Sequence, residues 1–75
     1  MEELIAVLKS VKEDVDFENE QALVSDELLE SMDIVAIVSE LENHYGITID
    51  LETLVPENFE SARSIMKMIE SLQNE

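Results

Sequence analysis

Three features of this sequence could support chemistry: a serine just before the segment with the strongest helical periodicity, a single histidine, and a run of alternating acids. Ser31 is one of three candidate N-caps for the helix predicted there, with Ser25 and Asp26. An ordinary helix cap is the simplest interpretation of Ser31. A phosphate ester there would also lie beside the free N–H groups and positive dipole end of a helix.

The other two features predict no catalysis and no specific metal site. His44 has no cysteine or second histidine to complete a usual zinc shell, and no G-x-S-x-G turn is present. Acids alternate through residues 14–20 as at the start of a calcium loop, but Asn19 stands where that loop needs glycine, and Ser25 where it needs glutamate. We expect a solvated acidic loop and no independent enzyme.

Composition narrows the classes of partner. The chain has 75 residues, 19 acidic and 4 basic, for a net charge of −15. A chain of this length forms one domain, residues 1–75, with a thin core. Nucleic acid and anionic membranes are unsuitable partners, because both are bound through Lys and Arg. Fifteen of the acids and no Lys or Arg lie between Glu13 and Ala62, so this stretch would attract basic proteins.

Cysteine is absent, which excludes disulfides and thiolate metal sites. Residues 1–8 have two glutamates and no basic segment, unlike a signal peptide, and no apolar run is long enough to cross a bilayer. We therefore expect a cytoplasmic monomer without stable membrane insertion.

Apolar spacing predicts an all-α fold of three main helices and a short one. The first helix is expected over about Glu2 to Glu13, followed by a long loop over Asp14 to Asp26 that is anchored by isolated apolar residues. The second helix ends at Gly46, whose type suits a left-handed position after a helix. Its apolar stripe comprises Ile34, Val38, Leu41 and Tyr45, flanked by Val35 and Ile37.

The remaining segments complete this small bundle. Residues 47–51 alternate like a strand, but no partner strand is predicted, so an extended loop is expected. Pro56 allows a short helical turn within residues 54–59. A last helix is predicted from about Ser61 to Gln73, capped by Ser61. Met32, Met66 and Met68 are expected in or around the core, with a partner-binding apolar surface as the alternative.

The segment around Ser31 resembles a known signature. Residues 28–35, Leu-Leu-Glu-Ser-Met-Asp-Ile-Val, resemble the D-S-L/M motif of acyl carrier and peptidyl carrier proteins, in which the serine carries 4′-phosphopantetheine. The similarity extends to the length, the acidity, the long first loop and residues 40–49. Residues 55–61, Val-Pro-Glu-Asn-Phe-Glu-Ser, resemble carriers of aminoacyl groups and the D-alanyl carrier type.

The resemblance implies an acyl-carrier-like bundle and assigns roles to individual residues. Ser31 is the implied attachment site of 4′-phosphopantetheine, and Met32 is the apolar contact beside it. Glu30, Asp33 and Glu42 belong to the acidic face that partner enzymes recognise. Glu30 replaces the usual aspartate with the same charge. Ala36 stands where many carriers of fatty acid biosynthesis have glutamate, which argues mildly against the standard fatty-acid partners.

The implied function is to hold acyl or aminoacyl groups as thioesters and to carry them between enzymes. Its partners would be a phosphopantetheinyl transferase, a loading ligase, and acyl-transferring or synthase enzymes with basic patches. An unmodified acidic helical adaptor that binds a basic protein is the alternative function.

Overall fold

The three segments with helical spacing of apolar residues form three α-helices. The computed structural model describes residues 2–50 and 52–74. Helix α1 spans Glu2–Val11, α2 spans Ser31–Tyr45 and α3 spans Ala62–Gln73, with a short 3₁₀ helix at Pro56–Phe59. The described residues contain no β-strand, so the expectation of an all-α fold is confirmed. None of their helices combines the length and the apolar character needed to cross a bilayer.

Helix ends follow the local sequence closely at two places. Ser61 caps α3 as predicted, because its Oγ accepts a hydrogen bond of 3.1 Å from the Ser64 N–H. Gly46 ends α2 with φ 64°, in the left-handed region that glycine enters without steric cost. Helix α1 ends at Val11, two residues before the predicted end, although the Lys12 N–H still bonds to Leu8 O at 3.1 Å.

Residues 12–30 connect α1 to α2 through a series of turns. Phe17, Leu23 and Leu29 are buried, and they anchor this segment to the core between the helices. Residues 47–50 form neither helix nor strand, so the predicted lack of a strand holds for them, whereas Leu51 of that prediction lies outside the described residues. The predicted helical turn within residues 54–59 forms as the 3₁₀ helix.

Helix α1 packs against both α2 and α3, and the 3₁₀ helix packs against α3. The Cα radius of gyration is 11.1 Å, close to the roughly 11 Å of a compact chain of this length. The core is almost wholly aliphatic, with two phenylalanines. Its buried members are Leu4, Leu8, Val15, Phe17, Leu23, Leu29, Ile37, Leu41, Ile49, Phe59, Ala62, Ile65, Met68 and Ile69.

Candidate functional site

The residue that caps the N-terminus of α2 differs from the prediction. Glu30 is the N-cap, with extended backbone, and the Asp33 Oδ2 accepts a hydrogen bond of 2.9 Å from the Glu30 N–H. Ser31 is therefore the first helical residue, and the prediction that Ser25, Asp26 or Ser31 caps α2 is wrong. Asp33 reaches back from the third helical position, which fixes the helix start without using the serine hydroxyl.

Asp33 also joins the start of α2 to the end of α1. Its Oδ2 lies 2.7 Å from the Nζ of Lys12, so one carboxylate oxygen accepts from both Lys12 and Glu30. The hydrogen bond from Lys12, followed by that from the Glu30 backbone, lowers the pKa of Asp33. The same hydrogen bond raises the pKa of Lys12. Asp33 is thus charged, and about three quarters of its side chain is covered, which limits the contact it can offer a partner.

Ser31 itself is exposed, and so are the apolar side chains next to it. Met32 is 79% exposed and Val35 is 66% exposed, and they are the large hydrophobic side chains that stand out at the described surface. The two are three residues apart, so they lie on one helix face. We call this pair the α2 apolar patch.

Val35 was expected beside the buried stripe of α2, and that expectation is wrong. Ile37 and Leu41 are buried, with Ile34 half-buried beside them. Each residue turns about 100° around a helix axis, so Val35 points well away from Ile34. Of the three methionines that were grouped together, Met32 is exposed while Met68 is buried in the core and Met66 is half-buried. The alternative of an apolar surface therefore applies to Met32 alone.

Glu42 lies at the other end of α2, apart from the remaining candidate residues. Eleven residues of helix separate it from Ser31, or about 16 Å along the axis. Its Oε2 accepts a hydrogen bond of 2.8 Å from the Ile49 N–H, which secures the chain after Gly46. The structure brings Glu30, Ser31, Met32 and Asp33 together and assigns Glu42 a structural bond.

The chain approaches α2 through a single helical turn with a strained end. The Leu28 N–H bonds to Leu23 O at 2.9 Å and the Glu27 N–H bonds to Val24 O at 3.0 Å. This is the pattern of a Schellman motif, which places its last residue in the left-handed region. Glu27 occupies that position with φ 58°, where a side chain is unfavourable. Leu29 follows and is buried directly before the cap.

Glu60, which is distant in sequence, holds this turn through direct hydrogen bonds. Sequence analysis missed this role. Its Oε1 accepts from the N–H groups of Val24 at 2.9 Å and Ser25 at 3.0 Å, and its Oε2 accepts from the Ser25 hydroxyl. The Glu60 carbonyl also accepts from the Leu23 N–H at 2.9 Å. Hydrogen bonds from Ser25, chiefly that of the hydroxyl, lower the pKa of Glu60. The partners are 35 or more residues apart, so no local pattern signals them.

His44 and the acid run make contacts with neighbouring side chains of the fold. His44 Nε2 lies 3.1 Å from the Glu3 Oε2, which joins the last turn of α2 to the first turn of α1. The adjacent Tyr45 hydroxyl is buried without a partner among the described residues, and this burial raises the pKa of Tyr45. In the acid run, Asp16 Oδ2 accepts from Asn19 Nδ2 at 2.9 Å. Over residues 2–50 and 52–74, no three His, Asp or Glu side chains are grouped to hold a metal ion.

The surface has clefts of about 260, 410 and 430 Å³, and none of these three has Ser31 in its wall, although Lys12, Glu27 and Leu28 line the one of 410 Å³. The largest is lined by Met68 and Leu72 of α3, and the smallest by Phe17 and the start of α3. Compared with protein-family models, curated proteins and solved structures, the chain has no significant match to any of them.

Proposed function

We propose that this protein is an acyl carrier protein that bears 4′-phosphopantetheine on Ser31 and transports acyl or aminoacyl groups as thioesters. The proposal rests on one observation above all: Ser31 is exposed at the first position of α2, while Glu30 and Asp33 carry out the capping. In this proposal, the three helices and the 3₁₀ helix correspond to a four-helix carrier bundle with a long first loop.

The surroundings of Ser31 suit a phosphodiester. The Ile34 N–H, bonded to Glu30 O at 3.0 Å, is the first to join the helical ladder. The earlier N–H groups of the helix lie at its positive dipole end, which favours an anion. Met32 offers apolar surface to the attached arm beside this position. The helix dipole therefore favours a phosphate ester at the hydroxyl, against the flanking carboxylates of Glu30 and Asp33, and Met32 suits an uncharged chain beyond it.

The attachment uses only the oxygen of Ser31. The Oγ would form a bond to the phosphorus next to pantetheine in coenzyme A as the phosphoanhydride bond breaks. The adenosine bisphosphate leaves, and the hydroxyl proton goes to a base of the transferase. Once attached, the group supplies a terminal thiol that can hold an acyl chain as a thioester. Since the chain lacks cysteine, that thiol has to come from the cofactor.

The proposed partners are enzymes with basic patches around an apolar centre. These are a phosphopantetheinyl transferase, a loading ligase, and acyl-transferring or synthase enzymes. The α2 apolar patch would fill the centre, and exposed acids such as Glu30 and Glu27 would face the basic rim. Charges at a rim accelerate encounter more than they tighten binding, which suits a carrier that has to be released. We propose that it acts as a cytoplasmic monomer.

Intact-mass spectrometry tests this function directly. The purified chain is incubated with coenzyme A, Mg²⁺ and a broad-specificity phosphopantetheinyl transferase. We expect a mass increase of one phosphopantetheine group in the wild type and none in Ser31→Ala. Ser39→Ala is the matched control, because Ser39 is also an exposed serine of α2, and it should be modified normally. An unmodified wild type, or modification that persists in Ser31→Ala, would refute the proposal.

An unmodified adaptor is the rival function, and the exposed α2 apolar patch within an acidic chain favours it as well. The two proposals differ in what Ser31 contributes. An adaptor would be isolated from its host without a mass increase, and Ser31→Ala would bind its basic partner as well as the wild type does. A carrier would be isolated at least partly modified.

A further inference from the structure

Lys12 is the last lysine or arginine before Arg63, and it lies beside the start of α2. It follows α1 directly, and its Nζ contacts Asp33 rather than the acids nearest to it in the sequence. Asp33 is two residues after Ser31 and simultaneously holds the Glu30 N–H, one residue before it. A single oxygen therefore connects Lys12 to both sides of Ser31.

We infer that Lys12 is a positioning residue for the modification of Ser31: through its ion pair with Asp33 it orients the first turn of α2, so that the serine hydroxyl is presented in one geometry. This inference rests on the proposed carrier function. The contact spans 21 residues of sequence and joins the two ends of the connecting segment. Without it, the start of α2 would be held to α1 by packing alone at this point.

An alternative role for Asp33, as a charge that the transferase recognises, predicts the opposite change in the modification rate when Lys12 is removed. If Asp33 acts as a charge that the transferase recognises, Lys12 masks it, and removing Lys12 should accelerate modification. If Lys12 positions Ser31, removing it should slow the reaction. Positioning should appear in kcat, because it acts on the reacting geometry, whereas a docking contact should appear mainly in KM.

The experiment compares six forms of the full chain under identical conditions. They are the wild type, Lys12→Met, Asp33→Asn, the double variant, Lys12→Arg and the stability control Ser61→Ala. Initial rates of phosphopantetheine transfer from coenzyme A are measured by intact mass over a range of carrier concentrations. Asn at position 33 retains an oxygen that can accept from the Glu30 N–H, so this variant removes the ion pair more selectively than alanine would.

We expect Lys12→Met to lower kcat roughly three- to tenfold with little change in KM, well short of the ~100-fold loss that a 1 Å misplacement can cause. The double variant should be no slower than the slower single variant, since both act through one contact. Lys12→Arg should restore most of the rate. Ser61→Ala serves as the stability control, because it weakens α3 without contacting α2, and it should retain the wild-type kcat.

The possible failures are distinguishable. A modified wild type together with an unchanged or faster Lys12→Met overturns the positioning role and leaves the carrier function standing. Independent, multiplicative losses in the double variant, or a loss confined to KM, also overturn it. A wild type that is not modified at all refutes the carrier function, and the positioning role falls with it.

Discussion

Two helix starts in this molecule contain a serine, and they use it in opposite ways. At α3, Ser61 is buried, its Oγ accepts from the Ser64 N–H, and it lies 3.0 Å from the Ser64 hydroxyl. At α2, the cap is Glu30 and the returning carboxylate is Asp33, so Ser31 is one position further in and exposed. The Ser61 hydroxyl accepts a hydrogen bond within the fold, whereas the Ser31 hydroxyl has no capping role.

The difference arises from which neighbouring residue satisfies the first backbone N–H groups. The hydroxyl of a serine at the N-cap accepts a hydrogen bond from a backbone N–H of the first turn, which fixes its orientation. A serine at the first helical position has no such duty once an acid two residues later reaches back to the cap. Proximity to a helix start is therefore insufficient to predict whether a serine hydroxyl caps the helix. The position relative to the cap decides.

The largest expected effect concerns the buried residues beneath the two starts. Phe59 precedes Ser61, and Leu29 precedes Glu30, and both are buried. Phe59→Ala should cost about 3 to 5 kcal/mol and Leu29→Ala about 2 to 5 kcal/mol, through lost burial and the cavity left behind. Urea unfolding followed by circular dichroism measures both. A cost below about 1 kcal/mol at either site would show that its helix start is supported by other contacts.

Exchanging each serine for alanine should separate the two starts. Ser61→Ala removes the α3 cap and should lower the free energy of unfolding by about 1 kcal/mol. Ser31→Ala removes a hydroxyl without a capping role and should change it by less than about 0.5 kcal/mol. Denaturant midpoints at constant m-value provide the comparison. Equal losses in the two variants would mean that Ser31 supports its helix after all.

Glycine at position 27 should stabilise the approach to α2. Glu27 has φ 58° at the end of the turn before Leu29, and glycine adopts that conformation freely, so Glu27→Gly should gain about 1 kcal/mol. Glu27→Gln removes the same charge but keeps the strained side chain. The gain of glycine over glutamine in thermal unfolding isolates the backbone contribution. Equal stability of the two variants would attribute any gain to charge alone.

The smallest expected effect is the pH dependence of the Glu60 bonds to the turn before α2. Hydrogen bonds from Ser25 lower the pKa of Glu60 below its ordinary value of 4.5. A lowered pKa contributes stability that is fully present above the unfolded value and is lost as the pH falls through the folded value. Glu60→Gln should therefore have a lower Tm than the wild type near pH 7, and the difference should shrink below about pH 4.5.

This comparison between the two forms at each pH is needed because acidification also relieves repulsion among the 19 acids. That relief affects both forms nearly equally, so it cancels in the difference. A gap in Tm that is constant from pH 7 to pH 3 would mean that the charge of Glu60 does not strengthen its hydrogen bonds.

Much of the fold could be predicted because its signals are local. The spacing of Ala62, Ile65, Ile69 and Leu72 predicted α3, and Ser61 and Gly46 marked helix ends through their own chemistry. The start of α2 could not be predicted in the same way. Ser25, Asp26 and Ser31 all suit a cap by type, whereas glutamate is an uncommon one. Glu30 is the cap in the structure, where its N–H donates to Asp33 Oδ2 and the same oxygen contacts Lys12 Nζ.

The candidate site likewise contains features that the sequence predicted and others that it did not. The sequence singled out Ser31, Met32 and their acidic neighbours, but it grouped Val35 with the core and treated Asp33 and Glu42 as free acids. In the structure, Val35 is exposed, and Asp33 and Glu42 are bonded to Lys12 and the Ile49 N–H. Which side of a helix faces solvent depends on what packs against it, and this cannot be derived from the helix alone.

The charge, the absence of a thiol, the three helices and a serine near the start of α2 all follow from the sequence alone. Each of these depends on residue types or on spacing within one or two turns. The contact of Lys12 with Asp33 across 21 residues and the hold of Glu60 on the turn before α2 from 35 residues away are instead products of tertiary packing. Such contacts form when packing brings distant segments together, and no local period encodes them.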